Sequence, residues 1–121
     1  MPGLESFCSN LVNIAPNYSG HLDYMNENNS LLIDTKIRYA KNMEQYWTFN
    51  PKSKISECDF KHTVELMRKA YHEYDSLLLR FKPGMKKTTS LFSWDNAAKK
   101  IISSINGEYP HYIPGTYKIP R

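Results

Sequence analysis

The chain has 121 residues and a formal net charge of +4, with 40% hydrophobic and 23% charged residues. This length gives one domain or less and excludes a protein built from two Rossmann-like domains. The positive excess suits an anionic ligand such as a nucleotide diphosphate, and equally weak contact with nucleic acid or a membrane surface, so charge alone does not choose among these classes.

Several functional classes lack their signatures. Cys8 and Cys58 form no Cys-x-x-Cys pair, and His62 and His72 are too far apart on a predicted helix to share a metal, so we expect no metal site. Neither a glycine-rich phosphate loop nor a Gly-x-Ser-x-Gly motif occurs. Without a signal peptide or an apolar run near 20 residues, we expect a cytoplasmic protein with no transmembrane segment.

The first predicted elements are two short buried strands. Leu11 to Ala15 is apolar and is stopped by Pro16, and Leu31 to Ile33 forms a second apolar run. Between them, Ser19-Gly20 predicts a turn and the start of a short helix. So few residues between two buried strands indicate a compact crossover in a parallel sheet, which places the chain in the α/β class.

The next segment, from Asp34 to Phe49, is predicted to be a polar and aromatic connection. Its basic residues alternate with aromatic ones, as in a stacking platform for single-stranded nucleic acid, but also as in a loop laid over the domain surface. Asn50-Pro51 then breaks the chain before the next helix. The basic residues are Lys36, Arg38 and Lys41.

Helical periodicity dominates from Ser56 to about Tyr74. Ser56 and Asp59 have the spacing of a capping box, which predicts the start of this helix. Large apolar residues recur every three or four positions and therefore share one face. These residues are Phe60, Val64, Met67, Tyr71 and Tyr74.

Two further helices are predicted before a proline-rich tail. The helix that carries Leu77 to Phe81 is expected to be interrupted at Pro83-Gly84. Ser93 is expected to cap a last helix from Trp94 to Ile105, with Gly107 after its end. We expect one stripe of that helix to be buried, consisting of Trp94, Ala97, Ala98, Ile101, Ile102 and Ile105. Residues 107–121 contain three prolines and are expected to be extended.

Short motifs follow one another in a fixed order between Glu5 and Ile105. Ser6 to Ser9 stands where a helix of small residues would follow Glu5, and Asn17 to Gly20 is a turn ahead of Asp23 to Ser30. Later landmarks are Trp47, Asn50-Pro51, Glu65-Leu66-Met67-Arg68, Phe92-Ser93-Trp94 and Ala97-Ala98. Together they resemble the C-terminal nucleotide-sugar-binding domain of GT-B retaining glycosyltransferases, the family that carries a Glu-x7-Glu motif.

The resemblance implies a Rossmann-like partial domain over residues 1–106, with a short parallel sheet and a helix-rich C-terminal half. It implies transfer of a sugar from a nucleotide diphosphate sugar to a hydroxyl acceptor, without a metal or other cofactor. Glu5 would hydrogen-bond the nucleotide ribose, and Ser19-Gly20 would approach the donor with backbone N–H groups. Without the resemblance, Glu5 is a glutamate in the first turn of a helix, which the helix dipole favours.

The match also departs from the family. The first Glu of the motif would fall before Met1, and the strand written Gly-x-Pro-Val-Ile-Ala in the family is replaced by residues 10–15, with Asn13 within it. No residue of this chain is therefore assigned a catalytic role, and we expect the chain alone to be inactive.

Two other functions remain open. The chain is alternatively a non-catalytic interaction module that contacts a protein partner or a second copy through the surface left by the missing domain. The third alternative is a small basic protein that binds nucleic acid through residues 39–49. We rank it well behind the other two functions and therefore expect no nucleic-acid partner.

Overall fold

A computed structural model describes residues 2–39 and 53–107. Residues up to Thr89 form one compact unit, and those from Ser90 onward belong to a second. The elements in chain order are α1 (Pro2–Cys8), β1 (Ile14–Pro16), a 3-10 helix (Gly20–Asp23), β2 (Leu31–Ile33), β3 (Thr35–Tyr39), β4 (Lys54–Cys58), α2 (Phe60–His72), α3 (Tyr74–Leu91) and α4 (Trp94–Ile105).

The predicted parallel pair is confirmed. Strands β1 and β2 run parallel, with Ile14 opposite Leu31 and Pro16 opposite Ile33, and the 3-10 helix lies in the connection between them. The pairing continues past the strand ends, because the Asn17 amide donates to the Ile33 carbonyl at 2.8 Å. The fold is therefore mixed α/β with a short parallel sheet.

A second sheet was not predicted. Strands β3 and β4 pair antiparallel, with Thr35 opposite Cys58 and Tyr39 opposite Lys54. The start of the predicted connection from Asp34 is thus a strand rather than a loop. Backbone pairing stabilises it, although all but one of its side chains are exposed.

The core lies between α1, the parallel pair and α3. Phe7 of α1 and three residues of α3, Leu77, Phe81 and Met85, are almost completely buried. They contact Ala15, Met25 and Leu31 in one apolar cluster. The spacing of four residues along α3 places its three core side chains on one face.

The predicted interruption at Pro83 is wrong. Helix α3 continues through Pro83 from Tyr74 to Leu91. A proline inside a helix removes one hydrogen bond and crowds the preceding turn. Here Phe81 and Met85, on either side of Pro83, are each only 1% exposed, and their burial offsets that cost.

The predicted start of α2 is also corrected. Ser56 belongs to β4, and the helix begins at Phe60 with Asp59 as its N-cap, whose side chain accepts the His62 amide. Ser93 caps α4 as predicted, with its side chain accepting the Asn96 amide, and Gly107 follows the helix with φ 72°. The sequence thus predicts the cap correctly at Ser93, where no strand pairing competes. It predicts the cap wrongly at Ser56, because that residue belongs to β4.

Both predicted apolar helix faces are exposed in the structure. On α2, Phe60 and Tyr71 are each 82% exposed, and the half-buried Leu66 and Ala70 contact the core instead. The stripe of α4 was predicted to be buried and is not, since no residue of α4 is buried. Periodicity shows which side chains share a face, but the residues that the structure describes do not bury these two faces.

Two predicted segments lie largely outside the described residues. These are the proline-rich tail beyond Gly107 and the part of the aromatic connection from residue 40 to residue 52. Within the described ranges, no helix combines the length and apolar character needed to cross a membrane.

Candidate functional site

The carboxyl ends of the two parallel strands meet at one edge of the small sheet. Strand β1 ends at Pro16 and leads into Ser19-Gly20, whereas β2 ends at Ile33 and leads into Asp34. In α/β proteins, ligands bind outside the carboxyl ends of parallel strands. The structure places two of the three predicted donor-binding residues, Ser19 and Gly20, just after the carboxyl end of β1.

Ser19 has an unusual backbone conformation. Its φ is 85° and its ψ is −177°, a region that is occupied almost only by glycine. Its side chain is exposed and makes no capping hydrogen bond to the following 3-10 helix. Such a conformation costs about 1–3 kcal/mol in a non-glycine residue and clusters at functional sites. Ser19 is therefore a residue whose backbone conformation departs strongly from those that non-glycine residues usually adopt.

Gly20 leaves the backbone beside Ser19 open. The residue is exposed, and a Cβ built on it has no neighbour within 4 Å. Gly20 opens the 3-10 helix, and the first amides of a helical turn have no partner inside the turn. The N–H groups of Gly20 and His21 are consequently the donors that this turn offers to an acceptor on a ligand.

The His21 ring is fixed against the end of β1. Its Nε2 lies 2.6 Å from the Pro16 carbonyl oxygen. A carbonyl oxygen only accepts hydrogen bonds, so Nε2 must carry the proton and donate it. In the neutral ring, Nδ1 is then the acceptor, which adds an imidazole with a defined tautomer to the site. The sequence analysis did not single out His21.

Glu5, the third predicted donor contact, is exposed in α1. This helix lies against the residues that follow the 3-10 helix. The Phe7 ring meets the Tyr24 ring edge-on at 6.4 Å, and a Cβ at Gly3 would overlap the Met25 side chain. Through Tyr24 and Met25, the structure thus joins the helix of Glu5 to the segment that Gly20 opens.

Asp34 and His62 form a polar contact at the end of β2 that sequence analysis missed. The His62 Nδ1 atom lies 3.1 Å from the Asp34 amide nitrogen and 3.1 Å from the Asp34 Oδ2 atom. The amide donates only to an unprotonated Nδ1, and the carboxylate accepts only from a protonated one. The two contacts therefore require different states of Nδ1, without and with its proton, and do not form at the same time.

The N-cap of α2 holds His62 in place. The Asp59 Oδ1 atom accepts the His62 amide at 2.9 Å, and this hydrogen bond holds the pKa of the Asp59 carboxyl below its ordinary value. The spacing of Asp59 and His62 is the N-cap spacing, so the sequence contained a signal for this arrangement.

The Asn-rich motif after the 3-10 helix has a structural role. Asn29 is 1% exposed, and its Nδ2 donates to the Tyr24 carbonyl at 2.8 Å and to Thr88 Oγ1 at 3.0 Å. Its Oδ1 accepts the Asn26 amide at 2.8 Å and the Ser30 hydroxyl at 3.1 Å. Because every polar atom of the Asn29 side chain has a partner, the motif fixes the crossover rather than offering groups to a ligand.

Metal binding has no structural support in the part of the chain that is described, where no group of three His, Cys, Asp or Glu side chains is arranged to hold an ion. No protein-family model, curated protein or solved structure matches the chain. A functional assignment therefore depends on the motif resemblance and on the geometry of the strand ends.

Proposed function

We propose that this chain is the C-terminal part of the nucleotide-sugar-binding domain of a GT-B retaining glycosyltransferase. The observation that carries the proposal is the strained Ser19, which stands at the carboxyl end of a parallel strand beside an open glycine. In the complete reaction, the bond between the anomeric carbon of the sugar and the nucleotide diphosphate breaks, and the nucleotide diphosphate leaves. The oxygen of the acceptor hydroxyl loses its proton and bonds to the anomeric carbon with retention of configuration.

Glu5, Gly20 and His21 supply the contacts to the donor in this proposal, and Ser19 sets the backbone conformation ahead of Gly20. The Glu5 carboxylate accepts hydrogen bonds from the ribose hydroxyl groups of the donor. The amides of Gly20 and His21 donate to oxygen atoms of the donor that approach the exposed backbone. The proposal is confined to donor binding, and we assign no catalytic residue in this chain.

A titration with nucleotide sugars tests donor binding. We expect saturable binding to one of UDP-glucose, GDP-mannose and ADP-glucose, and we expect Glu5→Ala to weaken it by about tenfold to a hundredfold, because a hydrogen bond to a charged group contributes about 1.5–3 kcal/mol. Glu27→Ala is the matched control, since Glu27 is also exposed but lies outside the proposed contacts. A folded protein that binds none of the three donors would overturn the proposal.

The exposed face of α2 favours a second candidate function, that of a protein-interaction module. Phe60, Met67 and Tyr71 are 82%, 59% and 82% exposed, and together with Val64 they form what we call the α2 stripe. Single exposed apolar residues are normal, but a contiguous row of them marks an interaction surface. Because the half-buried Leu66 and Ala70 of α2 pack against the core, the stripe is held on a folded support.

The positive charges beside the α2 stripe indicate that its partner carries negative charges. Lys61 and Arg68 lie on one edge of the stripe, at helix positions about 100° and 80° from Phe60. An amphipathic helix with apolar residues on one face and glutamates at its edge complements this surface.

A designed peptide of that kind tests this second function by fluorescence anisotropy. We expect saturable binding that Met67→Asp abolishes and Ile101→Asp leaves unchanged, since Met67 and Ile101 are equally exposed but on different helices. Equal loss with both variants would contradict a site on α2.

A further inference from the structure

Helix α4 ends in an Asn-Gly pair. The helix stops at Ile105, Asn106 is its C-cap with φ −76° and ψ 0°, and Gly107 follows with φ 72°. Of the five glycines in the sequence, Gly107 is the only one that an asparagine precedes. Because the positive φ favours glycine, the residue that ends the helix also places a backbone nitrogen without a neighbouring side chain directly after the asparagine.

The pair is open to solvent and weakly held. Asn106 and Gly107 are both exposed, and a Cβ built on Gly107 would meet no atom of a described residue within 4 Å apart from its chain neighbours. The Gly107 amide donates to the Ser104 carbonyl at the long distance of 3.2 Å. Helix ends open at little cost in free energy, because few buried contacts hold them. The Gly107 nitrogen is therefore released whenever the final turn opens.

We propose that Asn106 is a site of spontaneous deamidation, in which the Gly107 backbone nitrogen attacks the side-chain carbonyl carbon of Asn106. A bond forms between this nitrogen and Cγ, and the side-chain amide group takes up the proton that the nitrogen loses and leaves as ammonia. Water then opens the resulting succinimide ring at either of its two carbonyl carbons. The products are aspartate, with the original backbone, and isoaspartate, in which the backbone runs through the side-chain carbon. The proposal is independent of donor binding and of the α2 stripe.

Two other described asparagines are protected by their surroundings. Asn29 is followed by the small Ser30, but it is 1% exposed and four hydrogen bonds hold its side chain. Asn96 lies in the first turn of α4, where its Nδ2 donates to the Ser90 carbonyl at 2.7 Å. Asn106 instead combines exposure with a following glycine, so we expect conversion to occur there first.

Deamidation places a negative charge at the carboxyl end of α4. The helix dipole makes this end negative, so a carboxylate there is unfavourable. The last turn of α4 contains no basic residue that would offset the charge. Isoaspartate in addition lengthens the backbone by one carbon atom at the C-cap. Both products are therefore expected to weaken the last turn of the helix.

Peptide mapping of the incubated full chain by mass spectrometry tests the site. Trypsin cleavage after Lys100 and Lys118 gives a peptide in which Asn106 carries the only side-chain amide. After incubation at mildly alkaline pH, we expect aspartate and isoaspartate forms of this peptide, each with the mass gained when an amide becomes a carboxyl group. We expect Asn106 to convert at least tenfold faster than Asn29. An Asn106 that keeps its amide as long as Asn29 overturns the proposal.

The Gly107→Ala variant tests the attacking nitrogen. The added methyl group has space, but the positive φ strains an alanine, so the helix end is expected to open more rather than less. We nevertheless expect conversion of Asn106 to slow at least tenfold, because the methyl group shields the nitrogen. Gly20→Ala is the matched control, since a Cβ there also meets nothing within 4 Å, and we expect it to leave the rate unchanged. An unchanged rate in Gly107→Ala overturns the proposal.

The same mapping in urea separates the effect of the fold from that of the sequence. We expect conversion of Asn29 to rise at least tenfold on unfolding, because its hydrogen bonds are lost. Conversion of Asn106 is expected to change by less than about threefold, since the folded chain already leaves the pair open. A rise at Asn106 as large as that at Asn29 would show that the fold protects Asn106, and would overturn its assignment as a site in the folded protein.

Discussion

The side chain of Asn29 donates from Nδ2 to Thr88 Oγ1 at 3.0 Å and joins the crossover of the parallel pair to α3. The two residues are 59 positions apart in sequence, and both are buried. The same Asn29 nitrogen also binds the Tyr24 carbonyl. One buried amide thus holds the segment that begins at the candidate site against α3.

Replacement of Asn29 is expected to be strongly destabilising. In Asn29→Ala, the Asn26 amide and the Tyr24 carbonyl lose their side-chain partner inside the protein, which costs about 2–3 kcal/mol in the free energy of unfolding. Urea denaturation measures this change. The neighbouring Asn28 is exposed, and Asn28→Ala is expected to change stability by about 0.5 kcal/mol or less. Equal effects of the two substitutions would contradict the role of Asn29.

A methyl group at Gly84 is expected to destabilise α3 although alanine favours helices. A Cβ built at Gly84 would overlap the Asn28 carbonyl oxygen, so the crossover backbone must shift. We expect Gly84→Ala to cost about 1–2 kcal/mol, because overpacking exceeds the gain of about 1 kcal/mol in helix propensity. Thermal unfolding checks this, with Gly20→Ala as the control, since a Cβ there meets nothing within 4 Å. A more stable Gly84→Ala protein would refute the close approach.

Relief of backbone strain at Ser19 is expected to stabilise the protein. Ser19→Gly removes a strain of about 1–3 kcal/mol and raises the entropy of the unfolded chain, for a net gain of about 1 kcal/mol. Ser9→Gly is the comparison, because Ser9 is not at positive φ and its hydroxyl donates to the Glu5 carbonyl. We therefore expect the Ser9→Gly variant to be less stable than the unsubstituted chain. Denaturant midpoints measure both changes, and loss of stability in Ser19→Gly would contradict the strain.

The sequence predicted what is encoded locally. The parallel pair was predicted from two apolar runs, Leu11 to Ala15 and Leu31 to Ile33, with a turn and a short helix between them, and the helix from Trp94 was predicted from the Ser93 cap. The β3–β4 hairpin was missed because its two strands are separated by residues 40–53, and its exposed residues carry no clear alternation.

The candidate site was predicted only in part. Ser19 and Gly20 were found because a Ser-Gly turn is a local signal, whereas the positive φ of Ser19 cannot be read from its residue type. The contact between His62 and Asp34 joins residues from two elements and appears only in the folded chain. Helical periodicity identified the apolar faces of α2 and α4 but not their exposure, because the pattern does not say what covers a face.

The cap of α2 is expected to make stability depend on acid pH. The His62 amide holds the pKa of Asp59 below its ordinary value, so the ionised Asp59 stabilises the folded protein above about pH 4, and this contribution is lost as pH falls through the lowered value. The Asp59→Asn variant keeps a cap that does not ionise. Between pH 5 and pH 2, we expect its free energy of unfolding to fall less than that of the unsubstituted chain. Urea midpoints at both pH values check this.

The uncharged cap of α4 provides the comparison for that experiment. Ser93 accepts the Asn96 amide without ionising, so the helicity lost in Ser93→Ala is expected to be the same at pH 5 and pH 2. A pH dependence in Asp59→Asn as steep as in the unsubstituted chain would contradict the role of Asp59.

Amide chemical shifts during titration with UDP-glucose, GDP-mannose and ADP-glucose test the proposed donor site most directly. We predict that one donor shifts the amide signals of Gly20 and His21 in a saturable manner, together with signals near Glu5, and leaves the amide signals of α2 and α4 unchanged. Saturable shifts confined to α2 or α4, or no shifts with any donor in a folded chain, would contradict donor binding at the carboxyl edge of the parallel pair.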